Sequence, residues 1–149
     1  MIVVAPQCPA AQMWSGQPLE SMIKMVKDFQ KELPVDSQRI YITGLSMGGY
    51  GTWSALALEP KLFAAAIPIC GGGDPTSVEK FTKVPIWAFH NDGDPAVNVE
   101  GSRSMIAALK NSGGDPKYTE YPSTQHDAWS PTYKDPALWE WLLTQKKAP

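Results

Sequence analysis

The chain has 149 residues with 15 acidic and 13 basic side chains, a net charge of −2, and a length that supports one hydrophobic core but leaves no room for a second. No basic run extends beyond Lys146-Lys147 and no apolar stretch approaches the roughly 20 residues that cross a bilayer. Nucleic acid and membrane are therefore not expected partners, and the start Met1-Ile2-Val3-Val4-Ala5 lacks the pattern of an export signal, so the default reading is a soluble, cytoplasmic chain whose true compartment stays open.

Short β-rich runs alternate with helical patterns, which predicts one α/β domain over residues 1–149 with about five mostly parallel strands and helices on both faces. The first strand is read at Ile2 to Ala5. Leu19, Met22, Ile23, Val26 and Phe29 then follow helical spacing, with Pro18 suited to a first turn and Leu33-Pro34 as the stop. A second strand, Ile40 to Thr43, leads directly into a helix that starts at Ser46-Met47 and ends before Pro60. Ala64 to Ile69 is the third strand, followed by a Gly71-Gly72-Gly73-Asp74-Pro75 loop, and Ile86 to Phe89 is the fourth. A helix carrying Met105, Ile106 and Leu109 closes at Gly113-Gly114, Tyr118 to Tyr121 is the fifth strand, and a last helix opens at Asp135-Pro136 and buries Leu138, Trp141 and Leu142. Cys8 and Cys70 each follow a short apolar run and read as thiols at strand ends rather than as a disulfide.

The chemistry concentrates in three loops. Gly44-Leu45-Ser46-Met47-Gly48 lies between a β-branched strand and a helix, the context of a strained turn that lifts a serine hydroxyl above a sheet. The flanking glycines Gly44 and Gly48 are expected to relieve collisions at that turn, with Gly49 and Gly51 adding room. The N–H of Met47, at the positive end of the new helix, is placed to face a carbonyl oxygen gaining charge. A serine needs a general base and an orienting carboxylate. His126, in the polar turn after the last strand, is the candidate base, whereas His90 at a strand end is expected to pack. Asp94 is the preferred acid because Pro95 fixes its turn; Asp92 is expected to accept backbone N–H groups, and Asp127 to point away from its neighbour His126. Calcium at Asp92 and Asp94 is disfavoured because the remaining positions of a calcium loop do not match, so neither metal nor cofactor is expected. Of six tryptophans, Trp14 and Trp129 fall in loops and are candidates to contact a substrate; Trp53, Trp87, Trp139 and Trp141 read as core.

The runs Val4-Ala5-Pro6-Gln7-Cys8-Pro9, Arg39 through Trp53, Phe63 through Gly72, Trp87-Ala88-Phe89-His90 and His126-Asp127-Ala128-Trp129 resemble the bacterial predicted peptidase or esterase group of α/β-hydrolases, related to polyhydroxybutyrate-depolymerase-like and feruloyl esterases. That resemblance implies Ser46, Asp94 and His126 as a catalytic triad and a small-molecule carboxylic ester as substrate, hydrolysed without a cofactor. It also implies that such proteins place three strands and a His-Gly loop before the Val-Ala-Pro-Gln run, so this chain reads as N-terminally shortened relative to them. Two expectations follow: the strand Ile2 to Ala5 moves beside Ile40 to Thr43 so that the N–H of Gln7 or Cys8 replaces the missing oxyanion donor, and the open sheet edge near residues 2 to 8 is covered by a second copy in a homo-oligomer. The alternatives are an inactive or partner-dependent fragment acting as a binding module, and a serine peptidase using the same triad.

Overall fold

The computed structural model describes residues 1–147. In chain order the elements are α1 (Gly16–Glu32), β1 (Tyr41–Leu45), α2 (Met47–Leu58), β2 (Ala65–Ile69), a 3₁₀ helix (Pro75–Phe81), β3 (Trp87–Asn91), α3 (Glu100–Asn111), β4 (Lys117–Tyr121), α4 (Trp129–Lys134) and α5 (Pro136–Thr144). The four strands form one parallel sheet in sequential order, β1-β2-β3-β4, and every crossover carries helix, as parallel pairing requires. Two turns follow the chain chemistry closely. Asp135 caps α5 by accepting the Ala137 N–H at 2.9 Å, with Pro136 in the first turn, and Leu33-Pro34 stops α1.

Helices cover both faces of the sheet. On one side Leu19 and Ile23 of α1, Trp53 and Leu56 of α2, Val78 and Phe81 of the 3₁₀ helix, and Met105, Ile106 and Leu109 of α3 meet Ala66, Ile86 and Ala88 of the sheet. On the other, Ala65, Ile67, Ile69 and Phe89 meet Ala128, Leu138 and Leu142. Alternate residues of β2 therefore enter opposite cores, and all five are buried, which explains why that run is apolar on both faces. Trp53 is fully buried, while Trp87, Trp139 and Trp141 pack half-buried against the second core.

Three departures from the sequence reading have physical causes. Residues 2–5 form no strand: β1 pairs only with β2, and Ile2 and Val3 are 58% and 77% exposed. No neighbouring strand takes up the N–H and C=O groups of this run, so it stays exposed to solvent instead of lying beside β1, and among the described residues the sheet has four strands rather than five. The 3₁₀ helix was not expected after the glycine loop; it starts where the Asp74 carboxylate accepts the Thr76 N–H at 2.9 Å. The short α4 was also missed, because its six residues include Pro131 and are too few for periodicity to register.

Candidate active site

The site is assembled from three loops at the C-terminal ends of β1, β3 and β4, where open α/β sheets place their ligand sites. β1 ends at Leu45 and α2 begins at Met47, leaving Ser46 alone to reverse the chain. It does so with φ 52° and ψ −116°, a conformation that costs a non-glycine residue about 1–3 kcal/mol. The surroundings hold it there: the Ser46 N–H donates to Ile69 O at 3.0 Å, and its carbonyl accepts from the Tyr50 N–H at 3.1 Å.

The glycines around this turn have different tasks. A Cβ on Gly44 would lie 2.2 Å from Gly48 O, and one on Gly49 would lie 2.4 Å from Ile69 O, so both allow backbones to approach closely. A Cβ on Gly51 would meet Trp14 at 2.6 Å, whereas one on Gly48 would meet nothing within 4 Å. The expectation that Gly48 relieves a collision of its own is therefore corrected: its backbone is the obstacle that Gly44 must avoid.

The hydroxyl that results is within hydrogen-bond reach of a histidine. Ser46 Oγ lies 2.8 Å from His126 Nε2, and His126 Nδ1 lies 2.7 Å from Asp94 Oδ2. The Asp94 carboxylate also accepts the N–H groups of Ala96 at 2.8 Å and Val97 at 2.9 Å through its other oxygen. Burial pushes the Asp94 carboxyl upward, but the bonds from Val97, His126 and Ala96 outweigh it and hold the group below its ordinary 3.8. An ionised Asp94 requires the proton on Nδ1, which leaves the Nε2 lone pair facing the serine hydroxyl. The His126 loop is tied to β3 by Asn91, whose Nδ2 donates to Gln125 O at 2.7 Å. The ring is flanked edge-on by Trp129 with centroids 5.2 Å apart.

The matching family model, described as the prolyl oligopeptidase family, covers residues 10–88, just over half of the chain. The chain belongs to this family. Among solved structures it is similar to a thermostable esterase at 45% identity and a TM-score of 0.91, over 95% of this chain and 43% of that one. It is 27% identical over 122 residues to a bifunctional acetylxylan esterase/xylanase of Neocallimastix patriciarum, covering 74% of this chain and 18% of that protein. It is 40% identical over 52 residues to poly(3-hydroxyalkanoate) depolymerase C of Paucimonas lemoignei, covering 35% of this chain and 13% of that protein. The chain thus spans less than half the length of each, and these names agree with the esterase and depolymerase resemblance read from its motifs.

Within this member of the prolyl oligopeptidase family, the other residues singled out in the sequence separate by position. Asp92 accepts the Ser123 N–H at 3.1 Å and Asp127 accepts the Ser130 N–H at 2.8 Å, so neither reaches the histidine in place of Asp94. His90 is fully buried, with Nδ1 2.8 Å from Ser102 Oγ and Nε2 3.1 Å from Val97 O and 3.5 Å from Asp94 Oδ2. Burial lowers its pKa, against the opposing pull of the Val97 carbonyl and Asp94. Met47 opens α2, where the first N–H groups have no carbonyl one turn earlier to bond. Trp14 packs on Gly51 of α2, and Gln7 lies with it in a groove against α1. Gln7 Nε2 donates to Cys8 O at 3.2 Å, and no hydrogen bond among the described residues joins Gln7 or Cys8 to Ser46. The strand pairing expected to bring them there is absent. Cys8 and Cys70 are both free and buried.

One neighbour was missed in the sequence. Cys70, immediately after β2, has φ 39° and sits beside Asp94 and His126, with ligand atoms of all three within 4.8 Å of one another. Burial pushes its thiol up to about 11, against backbone N–H bonds from Ser46 and Ala128, so it is neutral at neutral pH. The strand order reveals what the sequence alone does not: β2 pairs with both β1 and β3, so a residue at its end must lie between the loops that carry Ser46 and Asp94.

Proposed function

We propose that the chain is a serine hydrolase that cleaves carboxylic esters through an acyl-enzyme on Ser46. The observation that carries this reading is the relay from Ser46 Oγ through His126 to Asp94, with both links at hydrogen-bond length. As Ser46 Oγ attacks the ester carbonyl, His126 Nε2 takes its proton, and Asp94 stabilises the imidazolium without being protonated itself. The carbonyl oxygen becomes an oxyanion, which accepts the Met47 N–H at the positive end of α2. The Gln7 or Cys8 N–H is the candidate second donor. Collapse of the tetrahedral intermediate breaks the ester C–O bond, and the alcohol leaves with the proton from His126. Water then gives its proton to Nε2, attacks the acyl-enzyme and releases the acid, which restores Ser46 Oγ–H.

Substrates are short-chain acyl or feruloyl-type esters. Trp129, held edge-on to His126, and Trp14 are the proposed substrate contacts, since aromatic faces suit an acyl or phenolic group. The prolyl oligopeptidase description of the family keeps a peptidase as the second reading. Parallel assays of p-nitrophenyl butyrate and the matching p-nitroanilide separate the two: turnover of the ester with little or none of the anilide is expected, and faster anilide cleavage would overturn the esterase reading.

A further inference from the structure

Beside the serine relay lies a set of groups that ester chemistry does not use as a set. Cys70 offers a thiol, Asp94 a carboxylate and His126 an imidazole, and one ligand atom from each lies within 4.8 Å of the other two. In a tetrahedral zinc site, metal–ligand distances of about 2.0–2.3 Å place ligand atoms roughly 3.3–3.8 Å apart. Contractions of about 1 Å or less, with a comparable opening of the short Asp94–His126 pair, bring these three into that range. Asp94 is already fixed by the Ala96 and Val97 N–H groups, and Cys70 is anchored by its N–H bond to Phe89 O at 2.8 Å. Their side chains are inaccessible, while that of His126 is 24% exposed, so the histidine stands on the side from which an ion would enter.

We propose that Cys70, Asp94 and His126 form an inhibitory site for a thiophilic divalent cation such as Zn²⁺ or Cd²⁺, with water or Ser46 Oγ completing the coordination. A sulfur, nitrogen and oxygen donor set suits these borderline to soft ions and not calcium or magnesium. On binding, the Cys70 S–H bond breaks, the sulfur–metal bond forms and the proton leaves to solvent; no oxidation state changes. The ion disables the relay whichever imidazole nitrogen it takes. At Nε2 it occupies the lone pair that faces Ser46, and at Nδ1 it displaces Asp94 and leaves the proton on Nε2.

The binding itself does not depend on esterase activity, so it is read by a signal of its own. Cd²⁺ added to the purified, chelator-free chain produces cadmium–thiolate charge-transfer absorption, and equilibrium dialysis gives one ion per chain. Cys70→Ser abolishes the absorption and weakens binding at least tenfold, whereas Cys8→Ser keeps both. His126→Gln, on the exposed side of the site, also weakens binding at least tenfold, which keeps the test open should the buried Cys70 variant fail to fold. With an ester substrate, Zn²⁺ inhibits the parent chain reversibly by chelator, and Cys70→Ser tolerates at least tenfold more. Absence of the absorption at saturating Cd²⁺, its loss in Cys8→Ser but not in Cys70→Ser, or full binding by His126→Gln would overturn the proposal.

Discussion

Gly44→Ala and Gly48→Ala, two outwardly equivalent changes in the same five-residue turn, are expected to have opposite consequences. A Cβ at position 44 arrives 2.2 Å from Gly48 O, and real Cβ atoms are essentially never closer than 3.0 Å to such a neighbour, so the turn must open by at least 0.8 Å. The obstacle is backbone at the start of α2, and the movement is transmitted to Ser46 between them. Overpacking of this kind costs about 1–3 kcal/mol of stability, and a displacement near 1 Å of a catalytic group costs about 10²-fold in rate. A Cβ at position 48 meets nothing within 4 Å, and replacing glycine by alanine in a helix contributes up to about 1 kcal/mol. Urea denaturation and p-nitrophenyl butyrate turnover measure both quantities. Gly44→Ala is expected to lower both and Gly48→Ala to raise stability slightly with turnover in the same order of magnitude. An active, stable Gly44→Ala variant, or a collapsed Gly48→Ala variant, would refute the steric reasoning.

Three further outcomes are expected. Burial lowers the pKa of His90 below its ordinary 6.5, so above that pH the group is neutral in both states; as pH falls below it the unfolded chain takes up a proton first and stability declines until the folded histidine also protonates. His90→Gln should flatten this decline, and an unchanged slope of urea midpoint against pH would show that other groups cause it. Gln7→Pro and Cys8→Pro each remove one N–H, and the position that serves the oxyanion should lose about 10²- to 10³-fold in kcat; parent-like rates in both would remove this segment from the oxyanion site. The open edge of β1 and the exposed run from Met1 to Val4 favour self-association, so light scattering at micromolar concentration should report a homo-oligomer, and a monomer alone would count against it.

Most of the scaffold was legible because it depends on local patterns. The helix stops at Pro34 and Pro60, the Asp135-Pro136 cap and the doubly buried run of β2 each state their role within a few residues. The three candidate catalytic residues were legible for a related reason: the strand-turn-helix context of Ser46 and the loops after β3 and β4 place them at one end of one sheet. The reading failed where the outcome depends on a partner elsewhere in the chain. Residues 2–5 carry a strand composition, but a strand exists only in a ladder, and among the described residues none pairs with this run. Gly48 looked equivalent to Gly44 because the motif records residue types and not which backbone atom each faces. Cys70 looked like an ordinary strand-end thiol; only the order of the strands puts it against Asp94 and His126.

The central claim is that the Ser46–His126–Asp94 relay performs ester hydrolysis. It is tested most directly by p-nitrophenyl acetate and butyrate turnover of the purified chain beside its Ser46→Ala variant, with folding of both checked by circular dichroism. The account predicts turnover in the parent that falls to the residual rate in Ser46→Ala, whereas equal rates in the two folded proteins would contradict it and leave a fold that holds the relay without its chemistry.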